Sequence, residues 1–353
     1  MTIRSVTLRN RIWVAPMCQY SAEEQDGMPN DWHLVHLGSF ATGGAALVIT
    51  EATAVSPEGR ISPQDLGIWN DAQRDVFARI TAFIRSQGAV PGIQLAHAGR
   101  KASTFRPWSE EHGSVPVDQG GWPTVGPSAL AFGRYAEPRA LTVDEIAGVV
   151  EDFRAAARRS VEAGFDVLEV HAAHGYLLNQ FLSPLSNRRE DEYGGSLENR
   201  ARLLLEVVRV VREEAGPDRV VFVRFSATDW TEGGFDAEQT ATVADWAAAE
   251  GADLADISSG GNVAGATIPV GPLYQVPLAA EVRRDSGVPV SAVGLITTPR
   301  EAEDVVASGR ADAVMLAREL LRDPHFPLRA ADELGVDIDY WPAQYLRARL
   351  PRS

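Results

Sequence analysis

His171 and His174 stand three residues apart and Tyr176 follows two residues later, so one short stretch offers two imidazoles and a phenol. Two imidazoles aimed at one point can donate hydrogen bonds to a carbonyl or other acceptor oxygen, and a phenol beside them can transfer a proton. Two other readings stay open on these residues alone. With Cys18 as a third ligand the histidines could hold a metal ion, although no His-X-His occurs on the first strand and no aspartate stands at an obvious ligand position. They could also simply pack or cap, which accounts less well for three such groups together. Cys18 has the same ambiguity: a free cysteine is mostly a small buried hydrophobe, but its place beside Gln19 and Tyr20 favours a site role. The chain's single lysine, Lys101, restricts the chemistry further. A Schiff-base mechanism needs a desolvated amine, and this one falls in a stretch that reads as loop, so imine chemistry is not expected.

The elements that must position these groups follow from apolar periodicity. Short β-branched runs recur at 11–16, 45–50, 90–95, 166–171, 220–225, 253–257, 289–293 and 313–316. Apolar residues at helical spacing fill 71–86, 143–163, 197–214, 237–250, 278–285, 300–308 and 318–334, and 31–42 is long enough for a poorer helix. Eight strand–helix units with near-continuous apolar strands imply parallel pairing with both faces buried. The expected fold class is therefore α/β, a (β/α)8 TIM barrel. A doubly wound open sheet is the runner-up, and it loses because no strand leads into a G-x-G-x-x-G turn. Two connections exceed structural need: a capping insertion at about 98–141 after strand three, rich in Gly, Pro and Trp, and a long loop, 176–199, after strand four. Both leave the C-terminal ends of strands, where barrel active sites are built. Val293 and Gly294 after strand seven, with Ala317 and Arg318 after strand eight, occupy the common phosphate-binding position of such barrels.

Composition bounds the rest. The chain has 353 residues, 45% hydrophobic and 23% charged, enough to bury a large core without staples. It is read as one barrel domain. A net charge of −15 argues against nucleic acid or an anionic membrane as partner. One cysteine excludes a disulfide framework and a cysteine-ligated iron–sulfur cluster. No run approaches the ~20 apolar residues of a membrane span, and Met1-Thr-Ile-Arg-Ser-Val-Thr7 has no apolar leader. A cytoplasmic location is expected.

One stretch is specific enough to suggest a family: His171-Ala-Ala-His-Gly-Tyr-Leu-Leu-Asn-Gln-Phe-Leu-Ser-Pro-Leu-Ser-Asn-Arg-Arg-Glu-Asp-Glu-Tyr-Gly-Gly-Ser-Leu-Glu-Asn-Arg200. With Ala15-Pro-Met-Cys-Gln-Tyr20, Gln94-Leu-Ala-His-Ala-Gly-Arg-Lys101 and Arg318-Glu-Leu-Leu-Arg-Asp-Pro324, it resembles the old yellow enzyme family of FMN-dependent ene-reductases, in particular the thermophilic-like bacterial subgroup. The resemblance runs from about Asn10 to Arg347. It implies reduction of the activated C=C bond of α,β-unsaturated carbonyl compounds, hydride passing from NADPH or NADH through flavin N5 in a ping-pong reaction. FMN would contact Pro16, Met17, Cys18, Ala52, Gln94 and Arg224, with its phosphate on Val293, Gly294, Ala317 and Arg318. His171 and His174 would bind the enone oxygen, Tyr176 would donate the proton, Cys18 would tune the flavin and Tyr20 would line the substrate pocket. The subgroup usually has glycine where this chain has Ala317, which adds only a methyl. The C-terminal Pro342-Ala-Gln-Tyr-Leu-Arg347 resembles a segment that projects an arginine into a neighbouring subunit's site. Arg347 is then the candidate finger, Arg349 its competitor, and a homodimer or homotetramer the expected assembly, with segment 340–353 reaching across.

Overall fold

The computed structural model describes residues 1–349. Eight strands close into a parallel barrel: β1 (Ile12–Val14), β2 (Leu47–Ala54), β3 (Val90–Ala96), β4 (Val167–Ala172), β5 (Val220–Ser226), β6 (Leu254–Ser258), β7 (Val290–Ala292) and β8 (Ala313–Leu316). Each pairs with its sequence neighbours, and β8 pairs with β1 to close the ring. All eight coincide with the apolar runs read from the sequence. The outer helices are α1 (Asp31–Thr42), α2 (Asp71–Ser86), α3 (Val143–Glu162), α4 (Leu177–Leu182), α5 (Leu197–Ala215), α6 (Ala237–Ala249), α7 (Val276–Ser286), α8 (Pro299–Ala307), α9 (Arg318–Arg322) and α10 (Phe326–Glu333).

Helix starts carry their own signals. Asn30, Asn70, Thr142 and Thr298 each cap a helix through a reciprocal capping box with the residue three positions on, which satisfies otherwise orphaned N–H groups. The stretch 318–334, read as one helix, is two. Asp323 precedes Pro324 and takes a non-helical conformation, φ −137° and ψ 87°, because the proline ring disfavours helical geometry in the residue before it. The long loop after β4 also contains an element that periodicity did not mark, since all six residues of α4 are buried and leave no amphipathic face.

The two ends of the barrel differ in character. Toward the N-terminal ends of the strands the interior is apolar: Trp13 stacks on Phe222 with ring centroids 5.6 Å apart, amid Leu47, Val167, Leu254 and Met315. An N-terminal hairpin, Thr2–Ile3 paired with Val6–Thr7, packs Ile3 and Val6 against this end. Toward the C-terminal ends the interior turns polar, and the insertion between β3 and α3 lies on that side. It carries a short parallel pair, Val125–Gly126 with Arg139–Ala140.

Candidate active site

The groups that could do chemistry converge at the C-terminal mouth. His171 is the fifth residue of β4, and His174 and Tyr176 follow in the turn that leads into α4. Ring centroids of His171 lie 5.3 Å from His174 and 5.0 Å from Tyr176, both edge-on. His174 takes the left-handed conformation at φ 58°, uncommon for a non-glycine residue. Gly175 follows at φ 73°, and a Cβ there would meet the Gly261 carbonyl oxygen at 2.2 Å. The turn thus rests directly on the loop after β6, and glycine is what allows that approach.

A backbone hydrogen bond assigns the tautomer of His171. His171 Nδ1 accepts the Ala173 N–H at 3.2 Å, so the ring proton sits on Nε2. His174 Nε2 lies 2.7 Å from Ser258 Oγ. Ser258 Oγ also donates to Gln275 Oε1 at 3.3 Å, an amide oxygen whose second lone pair accepts from Ser259 Oγ at 2.6 Å. When Ser258 donates to His174 Nε2 the imidazole proton is on Nδ1, and when it donates to Gln275 the imidazole proton is on Nε2. Burial above all, then the nearby Arg224 cation, holds both imidazoles well below the ordinary histidine range. Each is neutral at physiological pH and presents one N–H donor. Burial pushes the Tyr176 phenol well above its ordinary value, so its proton stays in place until a strong base arrives.

Cys18, Tyr20 and Tyr176 pack with Trp122 against a patch of small residues, Ala52, Ala96, Ala98 and Ala102, with Ile61. Trp108 of the insertion meets the Tyr20 ring edge-on at 5.7 Å. Burial, then Asp65 and Glu51, raise the Cys18 thiol well above its usual range, which favours the protonated form. Among the described residues no group of three His, Cys, Asp or Glu side chains could hold a metal ion.

Below the histidines a polar belt crosses five strands. Gln94 on β3 and Glu169 on β4 are register partners, and Gln94 Nε2 donates to Glu169 Oε1 at 2.7 Å. Arg224 on β5 is the register partner of both His171 and Asp256. Its Nε lies 2.9 Å from Asp256 Oδ2 without hydrogen-bond alignment, an ion contact between two buried charges. Ser291 on β7 donates to Asp256 Oδ1 at 2.8 Å. Glu169, Asp256, Ser258 and Gln275 are site residues that sequence reasoning missed. A carboxylate inside an otherwise apolar strand was the available signal for the first two, since an isolated buried charge is costly unless partnered.

Across the mouth, Val293, Gly294, Ala317 and Arg318 line a cavity of about 170 Å³ between β7 and β8. Gly294 has φ 130°, a conformation that side chains rarely adopt, and Leu295 follows at φ 53°. Gln275 Nε2 donates to the Val293 carbonyl at 3.1 Å, tying this loop through Ser258 to His174. Near the C-terminus, Arg347 lies on the exposed turn Ala343–Ala348, whereas Arg349 is ion-paired with Asp337.

A parallel barrel that gathers such groups at its C-terminal mouth is an enzyme scaffold, and comparison with known proteins identifies its class. The chain matches the NADH:flavin oxidoreductase / NADH oxidase family over residues 1–336 and belongs to it. It is 47% identical over 347 residues to an NADPH dehydrogenase of Listeria innocua, covering 98% of this chain and 97% of that one. Among solved structures, the old yellow enzyme homologue from Zymomonas mobilis superposes with a TM-score of 0.78 at 29% identity, covering 98% and 96% of the two chains. Morphinone reductase in complex with tetrahydroNAD gives 0.77 at 31% identity, covering 96% and 90%. The protein is an FMN-dependent, NAD(P)H-using oxidoreductase of the old yellow enzyme family. Among the described residues no helix is long and apolar enough to cross a membrane.

Proposed function

We propose that this enzyme is an ene-reductase acting on α,β-unsaturated carbonyl compounds. The observation that carries the reading is the convergence of two neutral imidazole donors with a protonated phenol at one barrel mouth. Bound FMN supplies a two-electron carrier that takes hydride from NAD(P)H and yields it to the acceptor, so the two substrates use one site in turn and ping-pong kinetics are expected.

The residues present fit that group. Gln94 and Arg224 would face the ring, the amide offering hydrogen bonds and the guanidinium a buried positive charge where negative charge collects on reduction. The Val293–Gly294 loop, with Ala317 and Arg318, would hold the phosphate. Arg318 makes no side-chain hydrogen bond or ion pair among the described residues, which suits a cation kept for an anionic ligand. Pro16, Met17, Cys18 and Ala52 would meet the ring edge, with Cys18 tuning it as a neutral thiol.

On the substrate side, His171 Nε2–H and His174 Nδ1–H would donate to the carbonyl oxygen and stabilise the charge that builds there. Tyr176 would protonate the α-carbon. Tyr20 would line the pocket, with Trp108 behind it. Arg347, exposed, would reach a neighbouring copy's site in a homodimer or homotetramer. The test is anaerobic: record the visible spectrum, add NADPH, then add 2-cyclohexen-1-one. The yellow band is expected to bleach and then return. Bleaching without return would defeat the enone assignment, and no flavin band even after incubation with FMN would defeat the placement of the cofactor.

A further inference from the structure

Lys101, the chain's only lysine, belongs to no step described so far, yet it lies against the catalytic turn. Its Nζ donates to the His174 carbonyl at 2.8 Å and to the Gly261 carbonyl at 3.0 Å. The first carbonyl belongs to the left-handed residue of the β4–α4 turn, and the second to the loop on which that turn rests. The same nitrogen lies 5.0 Å from the centroid of the Tyr176 ring and 4.5 Å from that of Phe132, which belongs to the capping insertion. Two of the three ammonium donors are thereby used on carbonyls, and the charge sits against two aromatic faces. The preceding Arg100 reinforces the arrangement by donating to the Leu130 carbonyl at 3.2 Å and the Asn262 carbonyl at 2.6 Å.

We propose that Lys101 is a positioning residue for proton transfer: its ammonium clasps the His174 turn to the β6 loop, fixes the direction of Tyr176, and places a positive charge against the phenol ring. A cation on that face favours the phenolate that forms when the proton leaves, so it acts on the transfer step and not on hydride uptake from NAD(P)H. The inference rests on the ene-reductase reading above.

The clasp is charge-dependent. Burial first, then Arg100, lower the Lys101 amine to about 8. The titratable and charged groups that face it are Arg100, His171, His174 and Tyr176. Both imidazoles stay neutral and the phenol stays protonated, so among these groups lysine is the one that changes charge just above neutrality. Glu169 titrates in the same range, but it faces Gln94 in the belt below, and Lys101→Arg separates the two. Below about pH 8 the ammonium and its two carbonyl bonds persist, and above it they weaken.

Three forms of the FMN-loaded enzyme test this: parent, Lys101→Met and Lys101→Arg. In Lys101→Met, bleaching by NADPH should stay within about twofold of parent while reoxidation by 2-cyclohexen-1-one slows about tenfold. The parent's reoxidation rate should fall above about pH 8. Lys101→Arg should recover most of the rate and move that fall up by about one pH unit or more, since a guanidinium stays charged. Because the chain has one lysine, [ε-13C]lysine gives a single side-chain resonance in the unmutated holoenzyme, and its titration should coincide with the fall. A Lys101→Met rate within about twofold of parent, a fall unmoved in Lys101→Arg, or a resonance that titrates elsewhere each overturns the proposal. If the parent bleaches but no enone restores it, the ene-reductase reading fails separately. The readout is then 4-hydroxybenzaldehyde affinity, followed by the flavin spectrum: about tenfold weaker binding in Lys101→Met supports the clasp, and unchanged or absent binding overturns it.

Discussion

At the scale of single residues, the site depends on which nitrogen of each histidine carries the proton. His171 is set by a backbone N–H, and the proton of His174 follows whether Ser258 donates to its Nε2 or to Gln275. Ser258→Ala removes that hydroxyl while leaving His171 untouched. Affinity for 4-hydroxybenzaldehyde is expected to weaken about fivefold to tenfold, the loss of one ordinary hydrogen bond of ~1 kcal/mol. A titration showing parent affinity would mean the tautomer is held by something else. Tyr176→Phe tests a different event. The band should bleach with NADPH at the parent rate, whereas return with the enone should slow by a factor of about 100 or more, the range of general acid catalysis. Equal slowing of both half-reactions would remove Tyr176 from the proton-transfer role.

At the scale of elements, parallel register does the assembling. Pairing of β3 with β4 sets Gln94 beside Glu169, and pairing of β5 with β6 sets Arg224 beside Asp256. The guanidinium contacts Asp256 and acts on Glu169 only through space, and Oε2 of Glu169 and Oδ2 of Asp256 both lack a hydrogen-bond partner. Burial first, then Asp256, push the Glu169 carboxyl up to about 8, against the pull of Arg224 and Gln94. Its folded value is above the unfolded one of ~4.3, so the folded chain binds the proton more tightly. The stability this contributes is fully present below about pH 4.3 and is lost as pH rises toward the folded value. In Glu169→Gln that slope should disappear, leaving a flatter profile of melting temperature between about pH 5 and 8. Parallel profiles for the two proteins would show that the carboxyl ionises freely in the fold. The strands themselves were legible because parallel strands buried on both faces read as apolar runs. The division of α9 from α10 was less so, since apolar spacing continues across Pro324 even though the backbone does not.

At the scale of the whole molecule, the barrel keeps one end apolar and closed by the N-terminal hairpin and the other polar and open to chemistry. The C-terminal turn with Arg347 is exposed, and its Tyr345 ring packs edge-on against His325 at 5.4 Å. If it completes a neighbouring copy's pocket, Arg347→Ala should raise the KM for the enone about tenfold with little change in bleaching by NADPH, the mark of lost binding alone. Arg349→Ala, which breaks only the contact with Asp337, should leave that KM near the parent value. Sedimentation should show more than one copy per particle, and a monomer with parent KM would exclude the turn from the site.

The sequence by itself determined the eight strand–helix units, the barrel class and the family, because periodicity and a thirty-residue motif are local properties of the chain. It also named the two histidines, the tyrosine and the cysteine that now share one mouth. Tertiary structure alone decided what surrounds them: Ser258 and Gln275 behind His174, Asp256 beside Arg224, and Lys101 across the catalytic turn. Those contacts join residues on different strands and loops, 84 positions apart for His174 and Ser258 and 73 for Lys101 and His174. Register and loop packing bring such pairs together only when the ring closes, and no local pattern encodes them. The same closure buries these side chains, and burial is the first cause of the protonation states on which the chemistry depends.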